Sequence, residues 1–254
     1  MRVGARFLDP SNESVELIGE CVAAIKPTED LAGWYGRFSS SQSPRLGIDL
    51  DIVSSFVSPG SAILEVGAVP LILTLALARR GYEVHAVDID PSRFEEAIGE
   101  HGLDVVACNT ETEALPYPDA SFDALILNEV LEHLRINPVH CVSEARRVLK
   151  PGGTLLLSTP NLRSLDGIWN LVVRGRSFAI ANNVYDEYAK LERVGHMGHV
   201  REYATGDVRA LLGRLGFEVE GLVFRNRQSK TPAEVICRVM PPLRRYVSYI
   251  ARAA

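Results

Sequence analysis

The stretch from Ile63 to Pro91, ILEVGAVPLILTLALARRGYEVHAVDIDP, constrains the chain more than any other. Ile63 to Val66 is a short apolar strand candidate with one acid, Glu65, set into it. Gly67 ends the run, Pro70 opens a helical pattern over Leu71 to Arg80, and Gly81 stops it. Proline in a first helical turn and glycine just past the last is the expected asymmetry. Tyr82 to Val87 reads as a second strand and closes on Asp88. Strand, turn, helix and strand, with an acid roughly twenty residues on, is a unit that binds an adenosine-containing cofactor. The turn sets backbone N–H groups at a helix N-terminus, and Asp88 is placed to take both ribose hydroxyls.

What the turn lacks narrows the cofactor. A dinucleotide fingerprint needs glycines two and five residues after the first, so that backbone approaches a pyrophosphate. Here those places hold Val69 and Ile72. S-adenosylmethionine carries no phosphate and tolerates side chains at this turn. ILEVGAVP with VDIDP resembles motif I and the second-strand acid of class I S-adenosylmethionine-dependent methyltransferases, although only Gly67 remains of their usual glycine pattern. FDALILNEVLEHL (122–134) resembles the family's motif IV region, and RVLKPGGTLLLSTPN (147–161) its fifth strand with the preceding turn. The resemblance covers about Ile63 to Asn161. It implies a Rossmann-like α/β fold, doubly wound on a mostly parallel seven-stranded sheet, with S-adenosylmethionine as cofactor. It places that cofactor against Glu65, Gly67, Ala68, Asp88, Ile89, Asn109, Thr110 and Asn128. Asn109, with Glu111 as the alternative, stands where the family usually has an acid.

With 254 residues, 46% hydrophobic and 23% charged, the chain is long enough for one α/β domain with additions. A net charge of −5 gives no global attraction to nucleic acid. Four scattered cysteines without a C-x-x-C pair read as reduced thiols in a cytoplasmic protein. No signal peptide and no run of apolar residues long enough for a membrane span is visible.

Three segments flank or interrupt the repeating pattern. Residues 1–60 read as an N-terminal helical cover: a helix around Val15–Ile25, an aromatic loop at Gly33–Phe38, a serine-rich hinge at Ser39–Pro44 and a second helix over Leu46–Val57. Trp34, Tyr35 and Phe38 either line the substrate pocket or pack this cover onto the domain. Residues 61–240 form the cofactor-binding domain, with an insertion at 160–204 that leaves from the carboxyl end of the fifth strand. Ligands bind on that side of open α/β sheets, so the insertion is assigned as the lid that selects the acceptor. It offers Trp169, Tyr185, Tyr188, Arg201 and Tyr203 to a substrate, with Asp186 and Glu187 beside them. Phe217–Arg225 and Glu234–Val239 are expected as a final antiparallel pair at one sheet edge. Residues 241–254 place Leu243, Tyr246, Val247 and Ile250 at helical spacing among three arginines. A basic amphipathic helix there lies on an anionic membrane, on a second subunit or on its own domain.

Methyl transfer to an alcohol calls for a base, because the nucleophile keeps its proton at neutral pH. His199 is the first candidate, His196 the second and His133 the third, each with a structural role as its alternative. His196 and His199 lack the further ligands that a zinc site needs, so no metal is expected. The expected acceptor is a small hydroxyl-rich molecule such as a sugar. A lipid or quinone acceptor at a membrane is the second reading, and a non-catalytic relic of the fold the third.

Overall fold

The computed structural model describes residues 3–6, 9–177, 179–180, 183, 185–189, 198–225 and 232–254. His196 and a smaller part of the expected lid, 178, 181–182, 184 and 190–197, lie outside the described residues. Eight strands form one sheet: β1 (Val3–Arg6), β2 (Ala62–Val66), β3 (Glu83–Asp88), β4 (Asp104–Ala107), β5 (Phe122–Asn128), β6 (Leu149–Pro160), β7 (Phe217–Arg225) and β8 (Tyr246–Ala253). Their order is β1-β7-β8-β6-β5-β2-β3-β4. From β4 to β6 all neighbours are parallel, whereas β8 is antiparallel to both β6 and β7. The α/β Rossmann-like class expected from the sequence holds. The seven strands of that fold run from β7 to β4, and β1 adds an eighth at the edge.

The helices are α1 (Asn12–Ala24), α2 (Ala32–Phe56), α3 (Ile72–Arg79), α4 (Glu95–His101), α5 (Pro138–Val148), α6 (Leu165–Arg174), α7 (Thr205–Arg214) and α8 (Pro232–Val239). Side-chain alternation along the central strands feeds two cores. Ile63, Ile126 and Leu156 face α1 to α4, whereas Leu64, Leu125, Leu127, Leu155 and Leu157 face α5 and α7. Both faces are covered, so these strands read as continuous apolar runs.

Four expectations fail, each for a local reason. The aromatic loop and serine hinge belong to a single helix, α2, which passes through Pro44. Its serine hydroxyls donate to backbone carbonyls inside the helix: Ser39 to Tyr35 at 2.8 Å, Ser43 to Ser39 at 2.6 Å. Satisfied in this way, serine need not break a helix whose inner face is buried through Tyr35, Leu46, Leu50 and Val53. The turn at Lys150–Gly153 is an irregularity within β6, with Gly152 at φ +75°. Glu234–Val239, expected as a strand, lies in α8. A short apolar run does not distinguish the two by periodicity.

The largest correction concerns residues 241–254. They are no surface helix: β8 fills the place between β6 and β7, with Val247, Tyr249, Ile250 and Ala251 at 1% exposure or less. Buried on both faces, the strand shows no alternation, and its apolar residues happen to fit a 3.6 period. The three arginines are paired. Arg244 reaches Glu234 at 3.0 Å, Arg245 reaches Asp166 at 2.6 Å and Arg252 reaches Glu220 at 3.1 Å. These residues therefore supply no amphipathic surface helix.

Candidate active site

The chain order reverses at β2, which lies between β3 and β5, and ligands bind open sheets in the crevice beyond such a point. A cavity of about 270 Å³ opens there. Glu65, Gly67 and Asn128 come to it from the ends of β2 and β5, Phe38, Gln42 and Arg45 from α2; His133, His199 and Tyr246 also line it.

Gly67 adopts φ +75°, and a Cβ on it would meet Val130 Cγ2 at 2.4 Å. Only glycine fits on both counts. The turn's amides are taken up internally. Gly67 and Ala68 N–H donate to the Val87 carbonyl at 2.8 and 3.3 Å, and Val69 N–H donates to Asp88 Oδ2 at 3.0 Å. None of these three is spent on a diphosphate, in keeping with the missing glycines. Leu71, at φ 69°, takes the left-handed cap and α3 starts at Ile72, so Pro70 precedes the helix rather than opening it.

Asp88 also accepts from Asp90 N–H at 3.2 Å. Burial pushes its carboxyl upward against these backbone hydrogen bonds. Ile89 beside it is half exposed. Asn109 follows the neighbouring strand; its Oδ1 accepts from Glu111 N–H at 3.1 Å, while the Glu111 carboxylate accepts from Ile136 N–H. Thr110 stands next to it and hydrogen-bonds the Cys141 thiol.

Glu65 is buried and accepts from Thr74 Oγ1 at 2.6 Å; burial raises its carboxyl to about 8. Asn128 has both amide atoms buried without a hydrogen-bond partner among the described residues, and the same is true of Arg45 Nε and Nη1. Unmet polar groups of this kind in a cavity wall fit a polar, partly charged ligand. Glu129, at φ 55°, accepts from Ser158 Oγ at 2.7 Å and lies 3.6 Å from Arg45.

His199, the first candidate for a base, lies in the cavity wall. Val200 and Arg201 N–H both donate to the Glu132 carbonyl, at 2.8 and 3.3 Å, and pin the last part of the insertion onto the segment after β5. His199 Nε2 then lies 3.8 Å from Glu132 Oε1, and its ring meets that of His133 nearly at right angles, centroids 4.6 Å apart. Glu132 is fully buried and accepts from Thr159 Oγ1 at 3.1 Å. Burial, with the charge of Glu129, pushes its carboxyl well upward. Glu132, His133 and His199 each bring one donor atom within 4.8 Å of the others, a set that could hold a cation and that sequence spacing did not disclose.

The expected substrate residues scatter. Phe38 lines the cavity with Trp34 packed against it at a tilt, ring centroids 5.3 Å apart. Tyr35 turns away and donates to the Val22 carbonyl. Tyr203 is buried, its hydroxyl 3.4 Å from the Leu131 carbonyl, and Arg201 lies over its ring. Trp169, Tyr185 and Tyr188 are exposed and outside the cavity wall. Asp186 accepts from Asn183, and Glu187 from Gly198 N–H. Sequence reasoning missed Arg45, Gln42, Glu132 and Tyr246. The EH pair in NEVLEHL was a signal for Glu132; nothing local pointed to the others.

A family model described as methyltransferase domain matches residues 64–157. Over those residues the chain is similar to methyltransferase domains. The matched stretch spans both sides of the cavity floor, from β2 to β6, and its fold is that of class I methyltransferases. S-adenosylmethionine is the cofactor that the domain implies, and the buried Asn128 amide, with Arg45 and Gly67 in the same cavity wall, suits it. Among similar proteins, the ubiquinone biosynthesis O-methyltransferase of Xanthomonas campestris pv. campestris is 36% identical over 120 residues, 45% of this chain and 49% of the relative. That of Xylella fastidiosa is 37% identical over 139 residues, 51% and 55% of the two chains. The chain thus spans about half the length of these curated relatives. A solved SAM-dependent methyltransferase from Thermotoga maritima superposes with a TM-score of 0.58 at 18% identity, covering 89% of this chain and 98% of its own. At that identity the methyltransferase domain shares its fold with this structure and no more. No helix among the described residues is long and apolar enough to cross a membrane.

Proposed function

We propose that the protein is an S-adenosylmethionine-dependent O-methyltransferase whose acceptor is a hydroxylated ring of the quinol type, with His199 as its base. The observation that carries this reading is His199 in the cavity wall, 3.8 Å from the buried Glu132 carboxyl. The names of the similar proteins support a quinone-type acceptor over a sugar.

When bound, S-adenosylmethionine supplies a methyl group already activated by a positive sulfur. The chain's own residues have the remaining tasks. Asp88 holds the ribose hydroxyls, and Arg45, Asn128 and Glu65 receive the amino-acid end. A phenolic hydroxyl titrates near ~10 and keeps its proton at neutral pH, so it needs a base. His199 takes that proton, and Glu132, 3.8 Å from its Nε2, faces the imidazolium so formed. Val200 and Arg201, bonded to the Glu132 backbone, fix the imidazole in place, and proximity supplies much of the acceleration.

The test is methyl transfer from labelled S-adenosylmethionine to a prenylated catechol or hydroxyquinol, read by mass spectrometry, with free sugars in parallel. A methyl ether of the quinol is expected. Methylation of the sugars with none of the quinols would overturn the acceptor class.

A further inference from the structure

Four charged side chains run from the cavity into the interior. Arg45 Nη1 lies 3.6 Å from Glu129 Oε1, Arg225 Nη2 lies 3.9 Å from the same oxygen, and Arg225 Nη1 bonds Asp49 Oδ1. The inner pair, Arg225 and Asp49, is fully buried. The strand pattern provides the place. Leu156, Val223 and Ile250 belong to the core on the α2 side of the sheet. Two residues nearer the carboxyl edge on each strand, Ser158, Arg225 and Ser248 share that face. Ser158 and Ser248, opposite each other on β6 and β8, are small and leave space above the sheet for the longer side chains. Glu129 comes in beside them and keeps a left-handed backbone, a strain that gathers at functional sites.

α2 contributes a single stripe. Phe38, Gln42, Arg45 and Asp49 follow one another at intervals of four, three and four residues, so they share a helix face. The first three line the cavity, and Asp49 continues the stripe beyond it. Any rotation of α2 about its axis therefore moves all four together. Pro44 removes a backbone donor just before Arg45, so the helix holds Arg45 less firmly from that side than from the other. The firm point is Asp49, one turn past Arg45, at its bond to Arg225.

Stability alone does not call for such charges, since well-packed apolar residues serve as well or better in buried places. Their effect is felt at Arg45. Its Nε and Nη1 have no hydrogen-bond partner among the described residues, and at 3.6 Å Glu129 faces it without a hydrogen bond. Glu129 is shared, because Ser158 Oγ donates to it at 2.7 Å and Arg225 stands on its other side. A shared carboxylate steadies the guanidinium without consuming its donors, and a guanidinium fork matches a ligand carboxylate. We propose that Arg225 and Asp49 are positioning residues that aim Arg45, by way of Glu129, at the carboxylate of the cofactor's amino-acid end. This rests on Arg45 receiving that end, as proposed above. With the inner pair gone, Glu129 has Arg45 as its one cation among the described residues. The two then close up, and the guanidinium turns from the ligand.

The experiment is calorimetry of the full chain with S-adenosylhomocysteine and with 5′-methylthioadenosine, which keeps the adenosine and the sulfur but lacks the amino-acid end. Wild type should prefer the first. Arg45→Met should lower that preference about tenfold or more. Arg225→Met with Asp49→Leu should lower it by a similar factor and leave methylthioadenosine binding unchanged. Arg225→Lys keeps the charge and loses the fork; it should fall between wild type and the double variant, and it carries the test if the double variant does not fold. Asp51→Asn is the control. Asp51 sits off the stripe and ties α2 to Ser11 and Ser14, so its loss should lower the melting temperature and leave the preference intact. An unchanged preference in both Arg225 variants, with Arg45→Met defective, overturns the positioning. So does an equal loss of both ligands, which marks a structural role alone, or a drop in Asp51→Asn as large as in the double variant. An unchanged preference in Arg45→Met defeats the reading of Arg45 itself, and this proposal with it.

Discussion

Arg225 on β7 and Asp49 in the middle of α2 meet at 2.5 Å, with side-chain exposures of 2% and 0%. The pair joins the N-terminal helix to the far side of the sheet, and Arg225 continues to within 3.9 Å of Glu129 at the cavity. Burial pushes the Asp49 carboxyl upward, and Arg225 with Arg45 pulls it back. Removing one partner leaves a buried charge unmet. Arg225→Met should cost about 3–5 kcal/mol in urea unfolding, and the double variant with Asp49→Leu considerably less. Equal losses in both would show that the two do not act as a pair.

Deleting residues 241–254 should prevent folding. β8 supplies the hydrogen-bonding partner of both β6 and β7 along with Val247, Tyr249 and Ile250 of the cores. Far-ultraviolet circular dichroism with a denaturant titration should show no cooperative transition. A truncated chain that unfolds like wild type would contradict the sheet order.

At Asp88 the expectation is a loss of cofactor affinity of ~1.5–3 kcal/mol in Asp88→Ala, the range for hydrogen bonds to a charged group. Asp88→Asn keeps an acceptor for Val69 N–H, so comparing the two by calorimetry separates ribose binding from support of the turn.

His199→Ala should lower turnover ~10²–10⁴-fold with cofactor affinity unchanged. Glu132→Gln should lower turnover while leaving the backbone bonds of Val200 and Arg201 intact. Near wild-type rates in both variants would leave proximity, or His133, to account for the reaction.

Glu65 makes the stability of the ligand-free protein depend on pH. Its carboxyl rises from 4.5 to about 8, so the folded state holds a proton that the unfolded chain releases. That contribution is complete below about 4.5 and declines as the pH climbs toward 8, by roughly 1.4 kcal/mol for each pH decade. Glu65→Gln should flatten the decline in a series of thermal melts. An unchanged slope would place the titration elsewhere.

The sequence disclosed the parts of this molecule whose physics is local. Gly67 before α3 and Asp88 at the end of β3 form one contiguous unit, and the apolar runs of β5 and β6 can be read because both faces of each are buried. Where long-range partners decide the outcome, reading failed. Nothing near Tyr246 says that its strand will find β6 and β7. Ser39 to Pro44 is a local exception, a hinge in appearance until carbonyls four residues back in α2 take up the hydroxyls. Arg45 became a cavity residue only because that helix is continuous. Glu132 and His199 are 67 positions apart, and the backbone bonds from Val200 and Arg201 bring them together.

The position of β8 has a consequence for how the chain reaches this state. Until residues 246–253 arrive, β6 and β7 face an empty slot, each with an unpaired row of N–H and C=O groups. Such rows accept any compatible strand, including the same segment of another molecule. Contacts between segments far apart in sequence also form late, because loop closure must come first. Refolding should therefore be slow and increasingly concentration-sensitive, with exchanged dimers as its main by-product, and these should diminish when a peptide of residues 241–254 is added in excess to occupy the slot.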